Sequence, residues 1–172
     1  PALGSVNGGP SPLGAPTTPA QGAVKLGVGT TAGTLVYAGM GETSDRLIDL
    51  AGTTGGAVID QSGTNLFTLT GGMTASGAGA KTLTLQGSTI GTGEFAGVIS
   101  NTPYGNAITV VKAGTGTWRL SSANTFTGGM TINGGTLAIA HPNALGTNGV
   151  SIPGTVGSVD LAHDGAGETI ND

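Results

Sequence analysis

Two aspartates stand in matching surroundings, Asp49 in LIDLAG and Asp60 in VIDQSG, eleven residues apart. Paired acids on neighbouring strands can cleave a glycosidic bond: one carboxyl protonates the leaving oxygen while the other attacks or activates water. That chemistry requires one member with a raised pKa. The plainer reading turns both toward solvent on a strand face. Glu42, Asp45, Asp164 and Glu168 lie in or beside the echoing GMGET and GAGET stretches and read as solvated turns.

His141 and His163 are the only histidines. His141 precedes Pro142 in a turn, His163 precedes Asp164, and no third ligand stands at a fixed spacing from either. Serines are plentiful, but no Gly-x-Ser-x-Gly elbow presents one as a nucleophile. GGAVID at 55–60 has two glycines and the aspartate of a calcium-binding β-roll. Val58 stands where the third glycine belongs, and the hexapeptide does not recur. No Gly-Lys-Ser/Thr follows any glycine cluster, so no phosphate loop is present. The chain has no cysteine, which removes disulfides and thiolate metal sites. These residues predict no catalytic centre, no metal and no cofactor. Aromatic rings offer the better binding argument. Tyr104, Trp118 and Phe126 lie close in sequence, with Tyr37 far away, and exposed rings stack on sugars. The three are the candidate glycan-stacking residues, although Phe126 and Trp118 would equally fill the interior or wall of a β fold.

Composition narrows what could position them. The 172 residues suit one domain. Glycine occupies 35 positions, charged residues are 8% and aromatics 3%. The glycines lack a three-residue period, which excludes collagen. Abundant Thr, Val, Ile and Leu, with slightly positive mean hydropathy, argue against disorder. The net charge is −4, and Lys25, Arg46, Lys81, Lys112 and Arg119 are scattered. No basic stripe exists to neutralise phosphates, so nucleic acid is not an expected partner. An anionic membrane surface is excluded on the same ground, and no apolar run is long enough to span a bilayer. The chain opens with Pro1 rather than Met and shows no signal peptide, as a processed product or a piece of a longer chain would.

Five of the eight prolines fall within the first 20 residues, so 1–22 reads as a Pro/Gly-rich loop or linker. From Val24 onward short runs alternate apolar and polar residues and end in Gly, Ser or Asn: TLVYAG, RLIDLAG, AVIDQSG, LFTLTG, TLTLQG, GVIS, AITVVKAG, TWRLSS, MTIN and TLAIA. Alternation bounded by turn residues is the strand signal, and no window keeps a helical apolar stripe. A sandwich needs bulkier side chains to fill a core about 10 Å thick. Short strands with small interior residues and glycine corners fit a coil of stacked turns, a parallel β-helix spanning 23–172, with strands about 4.8 Å apart. ALG at 2–4 returns at 144–146, and GMGET at 39–43 returns as GAGET at 165–169. The expectation is one long repeat, with a new one starting near 141.

Residues 112–139 resemble the passenger-associated transport repeat, also called the autotransporter-associated β-strand repeat. Lys112, Gly114, Gly116 and Thr117 match its opening. Leu120, Ser121 and Ala123 through Gly128 match its middle, and Thr131 through Leu137 with Ile139 match its end. Trp118, Arg119, Ser122 and Met130 depart mildly from it. The flanks, 33–100 and 141–161, look like the looser β-rich repeats that accompany it. The resemblance implies a right-handed parallel β-helix, an extracellular or bacterial cell-surface location, and a structural or adhesive passenger without catalytic activity. A carbohydrate-binding or polysaccharide-cleaving β-helix is the competing function. Open solenoid ends expose unpaired strand edges, so the expected partners are adjacent repeats or copies of the same chain, in an end-to-end filament or homo-oligomer. Surface glycans come second, and direct membrane insertion is not expected.

Overall fold

The computed structural model describes residues 2–87 and 91–153, and the backbone of 159–163. In the first turn of chain β1 is Val24–Leu26, β2 Gly33–Tyr37 and β3 Glu42–Ser44. The second carries β4 (Ile48–Leu50), β5 (Ala57–Gln61) and β6 (Phe67–Leu69). The third carries β7 (Met73–Thr74), β8 (Lys81–Gln86) and β9 (Thr92–Phe95). Two strands per turn follow: β10 (Ile108–Lys112) and β11 (Thr117–Leu120), β12 (Met130–Ile132) and β13 (Gly135–Ile139), β14 (Val150–Ser151) and β15 (Val159–His163). These strands make three sheets, ordered β1-β4-β7, β2-β5-β8-β10-β12-β14 and β3-β6-β9-β11-β13-β15. Every pairing between them is parallel. Each strand therefore pairs with its counterpart one turn away, which makes the molecule a β-solenoid. The one helix among the described residues is a single turn, α1 (Pro19–Gly22).

Alternation decides what faces in. In β8, Lys81, Leu83 and Leu85 are buried while Thr82, Thr84 and Gln86 face outward. Register then aligns the inward positions of successive turns. Leu35, Ile59, Leu85, Lys112 and Ile132 form one column. Phe67, Gly93, Trp118 and Leu137 form another, and Leu69, Phe95, Leu120 and Ile139 a third. Each large apolar side chain removed from water contributes about 1.5–3 kcal/mol, so the columns supply the driving force. Tyr37 and Phe67 stack at 4.1 Å between ring centroids. At one corner a Cβ on Gly97 would land 2.1 Å from the backbone nitrogen of Gly72, itself at φ +75°. Only glycine allows that approach.

Strands form in nine of the ten expected runs. The tenth, GVIS at 97–100, is not a regular strand but keeps the ladder: Met73 N–H donates to Val98 O at 3.1 Å and Thr125 N–H to Ile99 O at 2.9 Å. The expected runs passed over β1, β3, β7, β9, β14 and β15. Of these, β3 and β9, in ETS and TGEF, carry glutamates and lack the apolar alternation that signals a strand, and only their ladders to neighbouring turns place them.

Residues 2–22 are fastened to the first turn. Leu3 is buried at the end of the core cluster. Arg46, only 2% exposed, donates to the carbonyls of Gly4 and Gly22 at 3.2 Å and of Gly14 at 3.0 Å. Val6 N–H donates to Asp45 Oδ1 at 2.6 Å, and Leu3 N–H to Glu42. Glu42 and Asp45 thus accept from this segment instead of standing in free turns. Asp164, Glu168 and the second GxGET echo lie outside the described residues.

Candidate functional site

Residues 112–139 span β10 to β13, and their polar members tie turns together. Lys112 ends β10 on the inward parity of Ile108 and Val110 and is fully buried. Its Nζ donates to Ala113 O at 2.8 Å, Gly114 O at 3.3 Å and, in the next turn, Gly134 O at 2.9 Å. Burial pushes its pKa down to about 8. Gly135, at φ +69°, would bring a Cβ within 2.7 Å of that Nζ, so the missing side chain at 135 makes room for the ammonium. Lys81 is the counterpart at the start of β8, donating to Gly77 O at 2.6 Å and to Ala78 O and Gly79 O at 3.0 Å. Burial lowers its pKa as well.

Asn124 replaces a strand where the three-stranded β1-β4-β7 sheet lapses. Its Oδ1 accepts Ile99 N–H from the preceding turn at 2.9 Å, and its Nδ2 donates to Ala144 O in the following turn at 2.6 Å. Phe126, two residues further in the same irregular stretch, is fully buried. Outside, Arg119 pairs with Glu94 one turn back. Ser121 Oγ and Thr68 Oγ1 donate to the same carboxylate at 2.7 and 3.3 Å.

The aromatic candidates do not come together on a surface. Trp118 is fully buried, with its indole N–H donating to Gln86 O at 2.8 Å, and Phe126 offers no ring face to solvent. Tyr104 is 64% exposed. It sits at the tip of a turn closed by Gly105 N–H to Thr102 O at 2.9 Å and by Asn106 N–H to Thr102 Oγ1 at 3.0 Å.

The aspartates are separated too. Asp49 lies on β4 and Asp60 on β5, in different sheets. Asp49, only 3% exposed rather than solvated, accepts Ser76 N–H and Ser76 Oγ, both at 2.8 Å. Asp60 accepts Gln86 Nε2 at 2.8 Å and the Ser62 hydroxyl. His141 Nδ1 accepts Asn143 N–H at 3.1 Å. Among the described residues no three His, Asp or Glu side chains converge. A shallow groove, open to solvent, runs along one corner past Thr70, Met73, Val98, Ser100 and Ser122.

The buried lysines were legible in principle. A lysine two residues beyond Val110, or two before Leu83, shares their inward parity. Asn124 lies in SSANTFTG, which has no alternation to place it.

Parallel strands, turn-to-turn polar ties and a narrow apolar interior define the protein's class as a repeat solenoid. The family model of the passenger-associated transport repeat matches residues 110–139. The chain is also 40% identical, over 155 residues and 90% of its length, to the adhesin BmaC autotransporter of Brucella suis biovar 1 (strain 1330). It spans 4% of that relative's length. No solved structure matches it. The chain is a passenger-associated transport repeat protein.

Proposed function

We propose that this segment is a stiff structural length of an extracellular bacterial adhesin, a stalk or fibre element without catalytic activity. The observation that supports this most is the continuous register of two six-stranded parallel sheets along the chain. Pulling along the solenoid axis loads many backbone ladders in parallel, and Lys112 and Asn124 add ties between turns. Adjacent repeats or further copies of the chain cover the strand edges at its ends. Likeness to a surface adhesin favours an exported location. Excising the segment in register from the full-length protein should shorten the projection seen by electron microscopy by roughly 30 Å, at ~4.8 Å for each of six stacked strands. An unchanged length would overturn the stalk reading.

A second reading, sugar binding, draws on Tyr104, the exposed ring on a hydrogen-bonded turn. Glycan-array binding that vanishes in Tyr104→Ala while folding is unchanged would favour it. The separate sheets of Asp49 and Asp60 do not favour polysaccharide cleavage.

A further inference from the structure

We propose that Asn148 is a site of spontaneous covalent modification, where the chain deamidates through a cyclic imide with Gly149. Both residues are exposed, in the turn leading into β14. The side chain of Asn148 folds back so that its Oδ1 accepts Gly149 N–H at 3.0 Å. The nitrogen that must attack therefore already lies beside the amide group. Gly149 presents no side chain, and nothing lies within 4 Å of the position a Cβ would take, so the approach is unhindered.

In the reaction, Gly149 N loses its proton and bonds to Asn148 Cγ. The Cγ–Nδ2 bond breaks and Nδ2 leaves as ammonia. Water then adds to one of the two imide carbonyls and opens the ring, giving aspartate or isoaspartate. No oxidant or reductant takes part, and water is the only co-reactant.

Gly149 O accepts Met130 N–H at 3.1 Å, but the Gly149 N–H that reacts stays with the Asn148 side chain. The other two Asn-Gly pairs are held differently. Gly8 N–H is committed to Ser5 O at 3.2 Å, and Asn7 sits at φ +57°. Asn133 and Gly134 lie in the short connection from β12 to β13. There Asn133 N–H donates to Lys112 O at 2.8 Å and Gly134 O accepts Lys112 Nζ at 2.9 Å. Those bonds resist the backbone rotation that ring closure needs.

Conversion at 148 has a structural consequence. Asn148 Nδ2 donates to Thr127 O, one turn back, at 3.1 Å. The product puts a carboxylate oxygen against that carbonyl, and the isoaspartate form also adds a backbone atom just before Val150, which pairs with Met130. One tie between turns is lost while the apolar columns stay intact.

The test holds the purified chain at mildly alkaline pH and physiological temperature and maps it by peptide mass spectrometry with fragmentation that separates aspartate from isoaspartate. The expected result is a gain of about 1 Da at position 148, ahead of positions 7 and 133, and slowed at least roughly tenfold in Gly149→Ala. That variant adds a methyl to open space, and an unchanged melting curve will verify its fold. The proposal is overturned if position 148 stays intact while the urea-unfolded chain converts, if position 7 or 133 converts faster, or if Gly149→Ala converts at the parental rate.

Discussion

The indole of Trp118 lies on Gly93, its register partner in the neighbouring strand: a Cβ at position 93 would stand 2.5 Å from Trp118 Cε2. A large ring in one turn is accommodated by the missing side chain in the turn before. Gly93→Ala should cost about 1–3 kcal/mol by overpacking. Trp118→Ala should cost about 3–5 kcal/mol through the cavity it leaves. Urea unfolding of both variants measures this, and unchanged midpoints would refute the packing account. Any loss of ligand binding in Trp118→Ala has to be read against that loss of stability.

Lys112 should make stability depend on pH. Its folded pKa, about 8, lies below the ordinary lysine value of 10.5 because burial penalises the charge. Between those values the unfolded chain binds more protons than the folded one, so stability rises with pH across the window. Lys81 shifts in the same direction. Tyr37, whose pKa is raised by burial, opposes the gain only above its ordinary value of 10. Melting temperatures should climb from pH 8 toward pH 10, and Lys112→Met should flatten the climb. A parental profile that is flat, or falls over this range, contradicts the assignment.

Asn124 should be hard to replace despite its small size. Asn124→Ala leaves Ile99 N–H and Ala144 O without their side-chain partners inside the fold. A buried group left unpaired costs about 1–3 kcal/mol, so a combined loss of about 2–6 kcal/mol is expected. Asn124→Asp keeps an acceptor for Ile99 but sets a carboxylate against Ala144 O, and should be no better. Hydrogen exchange at Ile99 N–H gives the local readout: protection that survives Asn124→Ala would rule out the bridging role.

Arg46 should govern the first 22 residues and little else. Arg46→Met keeps much of the buried stem but removes the bonds to Gly4, Gly14 and Gly22. Limited proteolysis should then cut within 2–22 many times faster, while fragments beginning near Val24 persist. Equal cleavage rates in the two proteins would mean that the segment is held by other contacts, such as Leu3 in the core.

Local chemistry made much of this molecule readable from its residues. Alternation in KTLTLQ and AITVVK assigns strands and their inward faces, because side chains on a strand change sides at every residue. Glycine at the corners and the pattern from Lys112 to Ile139 point to stacked turns. The residues could not say which turn meets which. The column 67, 93, 118 and 137 advances by 26, 25 and 19 residues, so no fixed period sets the register, and loops of unequal length absorb the difference. Three-dimensional stacking alone seated Trp118 on Gly93, carried Lys112 Nζ to Gly134 O, enclosed Asp49 and left Tyr104 in solvent. Those outcomes depend on partners roughly 20 or more residues away, which backbone ladders select once the apolar columns align.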